Sequence, residues 1–387
     1  MITLSTEQQH ILDAILEWYK KDREAMQFVT LGGFAGTGKT TLIAVLRREL
    51  ERLYPNIKVG FAAYTGKAAR VLENKIREEQ VKFKQDSVGT IHSLIYTPMV
   101  NDREEIVGWK TKEEIEPDLI IIDEASMVDG MIWNHLCSYK KPMIVVGDHG
   151  QLPPIAGSFN LMQKPILTLE TIHRQAAENP IIALSIAVRE TGEIEAKKYS
   201  SHVRKYQRDD ELIGEAMNEL LNNFNKNTLI LCGYNTTRKR LNAAIRNNLG
   251  FESPEPSSGD RVICLRNNHK KRIYNGQLGT IISIRRANPQ WYTAEIAMDG
   301  DEKHFEGQIS VEQFTADSAM NFTNDRKKTI DGDLFDFGYA LTVHKAQGSQ
   351  AKRVILFEER FKQMSDDEWK RWLYTAVTRA EEELYMF

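Results

Sequence analysis

The sequence predicts an α/β protein built on parallel sheets in at least two units. Three observations carry that prediction. Short β-rich runs alternate with helical patterns through the first third of the chain. Two apolar runs, 118–122 (DLIII) and 142–146 (PMIVV), are continuous and end in acids, as strands buried on both faces do. The chain has 387 residues with 41% apolar and 27% charged, which excludes disordered, collagenous and disulfide-scaffold proteins and suggests two or three domains.

In chain order, 27–31 reads as a strand, 40–54 as a helix, 57–63 as a strand and 66–79 as a helix, followed by the two acid-terminated strands. Between them 96–117 is polar, acid-rich and broken at Gly108-Trp109, and reads as an insertion. Alternation resumes at Thr228 with TLILCGY, a helix over 235–249, the strand KRVILFEE, a helix over 369–382 and a final strand LYMF. Inside this second layer, RVICLRNN, QLGTIISI and WYTAEIAMD are separated by turn-rich segments, which predicts a small inserted β-barrel. Residues 253–259 (SPEPSSG) form the best linker candidate.

Charge says little as a sum: 51 Lys+Arg against 54 Asp+Glu gives −3, and a locally basic groove can sit on a neutral protein. The N-terminal residues lack a basic flank followed by an apolar core, and no apolar run nears the roughly 18 residues of a membrane span, so a soluble, cytoplasmic protein with no membrane partner is expected. Cys137, Cys232 and Cys264 are far apart and fit unpaired thiols in a reducing compartment.

Gly33-Phe34-Ala35-Gly36-Thr37-Gly38-Lys39-Thr40 fits G-x-x-x-x-G-K-[ST] between a strand and a helix. Backbone N–H groups of such a loop cradle phosphates, Lys39 reaches the β/γ-phosphates and the Thr40 hydroxyl binds Mg²⁺. Asp123 and Glu124 supply the complementary acids, Asp123 for the metal and Glu124 as general base toward the attacking water. Gln151, in GDHGQLPP after the next strand, is a candidate reporter of the γ-phosphate. ATP and Mg²⁺ are the expected substrate and metal.

The order of these motifs resembles the superfamily 1 helicases, and more narrowly their RecD-like and Dda-like 5′→3′ DNA helicases. The resemblance spans nearly the whole chain and includes LSTEQ at 4–8, AYTGKAA at 63–69, TIHS at 90–93, IHRQ at 172–175, YALTVHKAQGS at 339–349 and YTAVTRA at 374–380. It implies two RecA-like motor domains, at 1–95 with 118–175 and at 176–259 with 335–387, a wedge insertion at 96–117 and a β-barrel insertion at 260–334. It implies nucleotide contacts from Gln8, Gly33, Gly36, Thr37, Gly38, Lys39, Thr40 and Thr41 on one side and from Gln347 and Gly348 on the other. Arg174 and Arg379 are the arginine-finger candidates, planar donors that neutralise charge on the γ-phosphate oxygens.

The resemblance also places Thr65, Thr90, His92, Thr342 and His344 along a track for single-stranded DNA, where phosphates are held without base reading. Trp109 is the candidate aromatic tip of the wedge, stacking on the first base pair of a fork. Residues 261–286 hold Arg261, Arg266, Lys270, Lys271, Arg272, Arg285 and Arg286 without one acid, a candidate phosphate-binding patch. Two departures stand out: Gln350 occupies a position where many RecD-like members carry a Glu associated with the ribose, and the short β insertion implies a reduced brace for the wedge.

The sequence therefore points to an ATP-dependent helicase that acts as a monomer on single-stranded DNA and duplex forks. An RNA-directed superfamily 1 enzyme and a non-unwinding, strand-stimulated ATPase switch remain as alternatives. A nuclease activity has no spare acidic cluster to use.

Overall fold

A computed structural model describes residues 4–100, 106–154, 159–172, 178–207, 213–268, 271, 273–301, 303–316 and 332–387. Two compact units divide the chain, one of Met1–Met99 and Gly108–Ile186, the other of Val100–Val107 and Ala187–Phe387. The division between Ile186 and Ala187 falls eleven residues beyond the expected motor boundary at 175 (186 − 175), inside a helix that joins the units.

The first unit opens with helix α1 (Thr6–Lys21), whose start is fixed by a capping box: Gln8 N–H donates to Ser5 Oγ at 3.2 Å and Ser5 N–H to Gln8 Oε1 at 3.1 Å. Strand β1 (Phe28–Gly33), helix α2 (Lys39–Leu53), strand β2 (Val59–Ala63), helix α3 (Gly66–Glu78) and strand β3 (Ser87–Thr90) follow, then the short helix α4 (Ile91–Ile95). Strands β4 (Tyr96–Val100) and β5 (Ile106–Thr111) form a separate two-stranded sheet, which is the expected insertion. Strand β6 (Leu119–Asp123), helix α5 (Gly130–Ser138), strand β7 (Met143–Gly147), strand β8 (Leu167–Leu169) and helix α6 (Pro180–Thr191) complete the unit, the last running into the second unit.

Six of these strands make one sheet in the order β3-β2-β6-β7-β1-β8, all parallel. Its sequence signature was continuous apolarity, and the packing explains why. Along β6, Leu119 and Ile121 enter the core beneath α1 and α2, while Ile120 and Ile122 enter the opposite core with Trp133 and Leu136 of α5. Parallel strands share one carboxyl edge, so the segments after β1, β2, β3, β6 and β7 all emerge together.

In the second unit, strand β9 (Val203–Lys205), helix α7 (Ile213–Asn222), strand β10 (Thr228–Cys232) and helix α8 (Asn235–Asn248) lead into strands β11 (Arg261–Cys264), β12 (Leu278–Arg286), β13 (Trp291–Met298), β14 (Phe305–Ser310) and β15 (Phe335–Phe337). Strand β16 (Ala340–Thr342), strand β17 (Ala351–Leu356), helix α9 (Asp366–Val377) and strand β18 (Ala380–Met386) return to a parallel sheet ordered β16-β10-β17-β18-β9. Strands β11–β15 form the antiparallel sheet β14-β13-β12-β11-β15, closed by Ser310 N–H donating to Asp333 O at 3.1 Å and Asp333 N–H to Gln308 O at 2.8 Å. The predicted barrel is present, with its last strand at 335–337, beyond the expected end at 334. It shares one core with the sheet and α8: Ile230, Leu241 and Ile245 cluster with Val262, Ile296 and Phe335.

Three expectations are corrected. The helix expected over 369–382 starts at Asp366 and stops at Val377, because Ala380, Leu384 and Met386 are buried along a strand pairing with β17 while Glu381 and Glu382 face solvent. The proposed linker 253–259 is no boundary: Arg246 holds it from within the unit, donating to Ser253 O and Glu255 O at 2.8 Å each while it pairs with buried Asp260 at 2.8 Å. The basic stretch 261–286 is not a free patch either. Arg261 pairs with Asp299, Lys271 with Asp333 at 2.7 Å and Arg286 with Glu255 at 2.6 Å, while Arg266 donates to Gly332 O at 2.7 Å. The neutralising acids come from outside the stretch, and Lys270 and Arg272 lie outside the described residues.

Candidate functional site

The loop after β1 has the geometry its glycines anticipate. Gly36 and Gly38 adopt φ of +81° and +78°, a region an L side chain would strain, and a Cβ on Gly33 would come within 2.7 Å of Thr37 Oγ1. The loop thus turns its amides inward at the N-terminus of α2, an anion-binding arrangement. Lys39 Nζ lies over it, donating to Gly33 O at 2.7 Å and Phe34 O at 2.9 Å. Thr40 and Thr41 follow in the first turn of α2, both half-buried. Thr37 is buried and donates to Phe34 O at 2.9 Å, and buried Gln8 fastens α1 to the loop through Nε2 to Thr37 O at 3.3 Å.

Asp123 ends β6 at the same edge, in register with Ala63 of β2, which is itself in register with Thr90. Burial pushes the Asp123 carboxyl above the usual range, opposed by the Glu124 N–H that donates to Oδ1 at 2.9 Å and by the charge of Lys39. Glu124, the second acid of the pair, is held at φ +52°, a strained conformation for a non-glycine residue. The half-buried Asp123 carboxylate and the Thr40 hydroxyl on α2 are hard oxygen donors. Such oxygen donors fit Mg²⁺, which takes few protein ligands and completes its shell with phosphate and water.

After β7, buried Asp148 organises the next segment: Oδ1 accepts from Gly150 N–H at 2.9 Å and Oδ2 from Gln151 Nε2 at 3.4 Å. Gln151 is therefore held by its neighbour, and the His149 ring packs 4.0 Å from that of Phe34 in the phosphate loop. Glu7 accepts from Glu170 N–H at 2.9 Å and Thr171 N–H at 3.1 Å, fixing the chain that leads toward Arg174, which lies outside the described residues. Asp148, His149 and Glu7 were not anticipated. Asp148 carried a signal, an acid right after an apolar run like that of Asp123; Glu7 looked only like a first-turn acid.

Among the proposed nucleic-acid contacts of this unit, Thr65 caps α3 by accepting from Ala68 N–H at 3.1 Å, and Thr90 caps α4 by accepting from Ser93 N–H at 3.1 Å. The His92 ring sits 5.4 Å from that of Tyr96 and 6.3 Å from that of Tyr64, and burial lowers its pKa. Trp109 is 39% exposed but belongs to β5, not to a turn; the hairpin tip, 101–105, lies outside the described residues, so the aromatic stands on the strand's flank.

The second unit carries its own constellation. Thr342 is buried at the end of β16, and His344 follows half-buried, its pKa lowered by desolvation. Gln347 is buried, and Gly348 turns the chain at φ +71°. Arg379, only 2% exposed, joins this loop to α9: Nε donates to Thr375 O at 2.9 Å, one terminal nitrogen to Ser349 O at 3.3 Å and the other to Thr378 Oγ1 at 3.3 Å.

Known families and proteins match segments of both units. Residues 3–210 match the family described as AAA domain, and residues 337–387 match the UvrD-like helicase C-terminal domain. The ATP-dependent RecD2 DNA helicase of Deinococcus radiodurans is 28% identical over 407 aligned positions, covering 99% of this chain and 48% of that protein. The RecBCD enzyme subunit RecD of Buchnera aphidicola is 23% identical, covering 93% of this chain and 70% of that one. The chain thus spans about half the length of the Deinococcus relative. In fold it is similar to a Pif1 helicase from Bacteroides solved with ADP-AlF3 and single-stranded DNA, with TM-score 0.58, 19% identity and coverage of 100% of this chain and 92% of the other.

Proposed function

The chain belongs to the AAA-domain family, within the RecD-like superfamily 1 helicases, and from that premise we propose that it hydrolyses ATP to move along single-stranded DNA, 5′→3′, and to part duplex at a fork. The observation that carries this reading is the convergence of the Gly33–Thr40 loop, Asp123-Glu124 and Gln151 on one carboxyl edge of a parallel sheet. That arrangement is suited to hydrolysis, whereas nucleotide binding alone needs only the loop.

In the proposed reaction Lys39 exchanges its carbonyl partners for the β/γ-phosphate oxygens, so that the ammonium meets anionic acceptors in place of neutral ones. Thr40 and Asp123 would hold Mg²⁺, which when bound neutralises phosphate charge and relieves the buried Asp123 carboxyl. Glu124 accepts the proton of the attacking water, and Gln151, oriented by Asp148, aligns the γ-phosphate side. Arg379, a planar donor set now bonded to Thr375, Ser349 and Thr378, is the finger candidate of the second unit. Thr65, Thr90, His92, Thr342 and His344 contact the strand. Trp109 stacks at the fork from the flank of the hairpin.

The test is ATP turnover with and without single-stranded DNA, followed by separation of 5′- and 3′-tailed forks. Lys39→Ala should abolish turnover while largely keeping DNA binding, and Trp109→Ala should lower fork opening more than strand-stimulated turnover. Undiminished hydrolysis by Lys39→Ala removes this ATP site. Equal stimulation by RNA, or forks that stay annealed during turnover, favours the two alternatives respectively.

A further inference from the structure

Helix α5 begins six residues after Glu124, at Gly130, and its far end meets the base of the β4–β5 hairpin. His135 and Tyr139 are spaced i, i+4 and so share one face of the helix. Tyr96, the first residue of β4, has its hydroxyl 2.7 Å from His135 Nδ1. The Tyr139 hydroxyl lies 2.9 Å from Ile95 O and 2.9 Å from Lys112 O, the two residues that flank the hairpin on its entering and leaving strands. Lys112 N–H donates to Ile95 O at 2.9 Å and its Nζ to Ser93 O at 2.8 Å, closing the same junction. Beneath this face Ile132 and Leu136 are buried against the sheet, so α5 has no freedom to follow a loose hairpin. Tyr96 also touches the His92 ring, at 5.4 Å between centroids.

We propose that α5 is a strut between the Asp123-Glu124 pair and the hairpin, and that Tyr96, His135 and Tyr139 are positioning residues that hold the hairpin at a fixed attitude so that strand travel becomes strand separation. The inference rests on the reading of the hairpin as a wedge given above. The Tyr139 hydroxyl is shared between a carbonyl on each side of the hairpin's root, so it fixes where the two strands leave the unit, and play at that point is carried along the whole hairpin. Met99 and Trp109, 47% and 39% exposed on β4 and β5, are the apolar surfaces whose aim this clamp would set.

Tyr139→Phe and Tyr96→Phe each remove one hydroxyl and keep the ring, including the contact of Tyr96 with His92. The full chain is assayed for turnover on single-stranded DNA and for base pairs opened per ATP on a 5′-tailed fork. The double variant should keep kcat on single-stranded DNA within about two-fold and lose about three- to ten-fold in base pairs opened per ATP, the fold-change one or two net hydrogen bonds supply. Amide hydrogen exchange in β4 and β5 should accelerate while that of β6 and β7 stays unchanged. Parallel loss of turnover and opening, or unchanged coupling with accelerated exchange, overturns the clamp. Absence of strand-stimulated turnover in the unmodified chain would instead sink the helicase reading, and turnover without fork opening would remove the wedge and this inference with it.

Discussion

Asp86→Ala is the substitution expected to unsettle the first unit most. Arg47, on α2 eight residues beyond Lys39, is completely buried, and Asp86 receives its Nε and one terminal nitrogen at 2.9 Å each. The same carboxylate accepts from Phe83 N–H at 3.1 Å and Val59 N–H at 3.4 Å, so it ties the phosphate-loop helix to strand β2 and to the segment before β3. Truncation leaves the guanidinium with Glu51 at 2.9 Å and the face of Phe83 at 4.2 Å. Breaking a buried pair from one side costs about 3–5 kcal/mol, because the surviving charge stays buried. The orphaned amides could add about 1 kcal/mol each, offset in part by water entering the small gap. At roughly 2–4 °C per kcal/mol for a unit of this size, a loss of about 3–5 kcal/mol lowers the melting transition by roughly 6–20 °C. Urea unfolding read by tryptophan fluorescence, with Trp18 and Trp133 reporting on this unit, measures it. Arg47→Met combined with Asp86→Leu should recover most of the loss, since no buried charge remains. A shift below about 1 kcal/mol for Asp86→Ala, or a double variant as weak as the single one, would refute the reasoning.

Burial pushes the thiols of Cys232 and Cys264 up to about 12, so in the native protein both should resist a disulfide reagent at pH 8 while half-buried Cys137 reacts first; rapid labelling of all three would contradict this. His92 and His344 are held below the ordinary histidine range of about 6.5 by burial, so the unfolded chain takes up protons before the folded one does. Stability from this source is complete above pH about 6.5 and declines as pH falls toward the depressed folded values. Asp123 and Asp336, raised by burial, act in the opposite sense at more acid pH, so the measurement is the difference in urea midpoint between pH 7.5 and 5.5 for the unmodified chain and for His92→Gln with His344→Gln. The variant should show the smaller decline.

The parallel strands, the phosphate loop and the acid pair were legible because each is a local pattern. A strand buried on both faces has to be continuously apolar, and a loop that wraps phosphate has to spare side chains at Gly33, Gly36 and Gly38. Helix α1 was legible too, through Ser5 and Gln8 of its capping box.

Other features were decided by partners distant in sequence. The stretch 261–286 contains no acid, yet Asp299, Asp333 and Glu255 pair with Arg261, Lys271 and Arg286, since only folding brings the end of β13, the start of β15 and the segment before β11 beside it. Tyr139 is anonymous in the chain, and its hydroxyl acquires a role only where Ile95 and Lys112 meet. The strand from Ala380 could not be told from more helix until β17 supplied its hydrogen-bond partner. Local chemistry is written in neighbouring residues, whereas charge compensation and the attitude of an inserted hairpin depend on contacts that exist only once the chain has closed on itself.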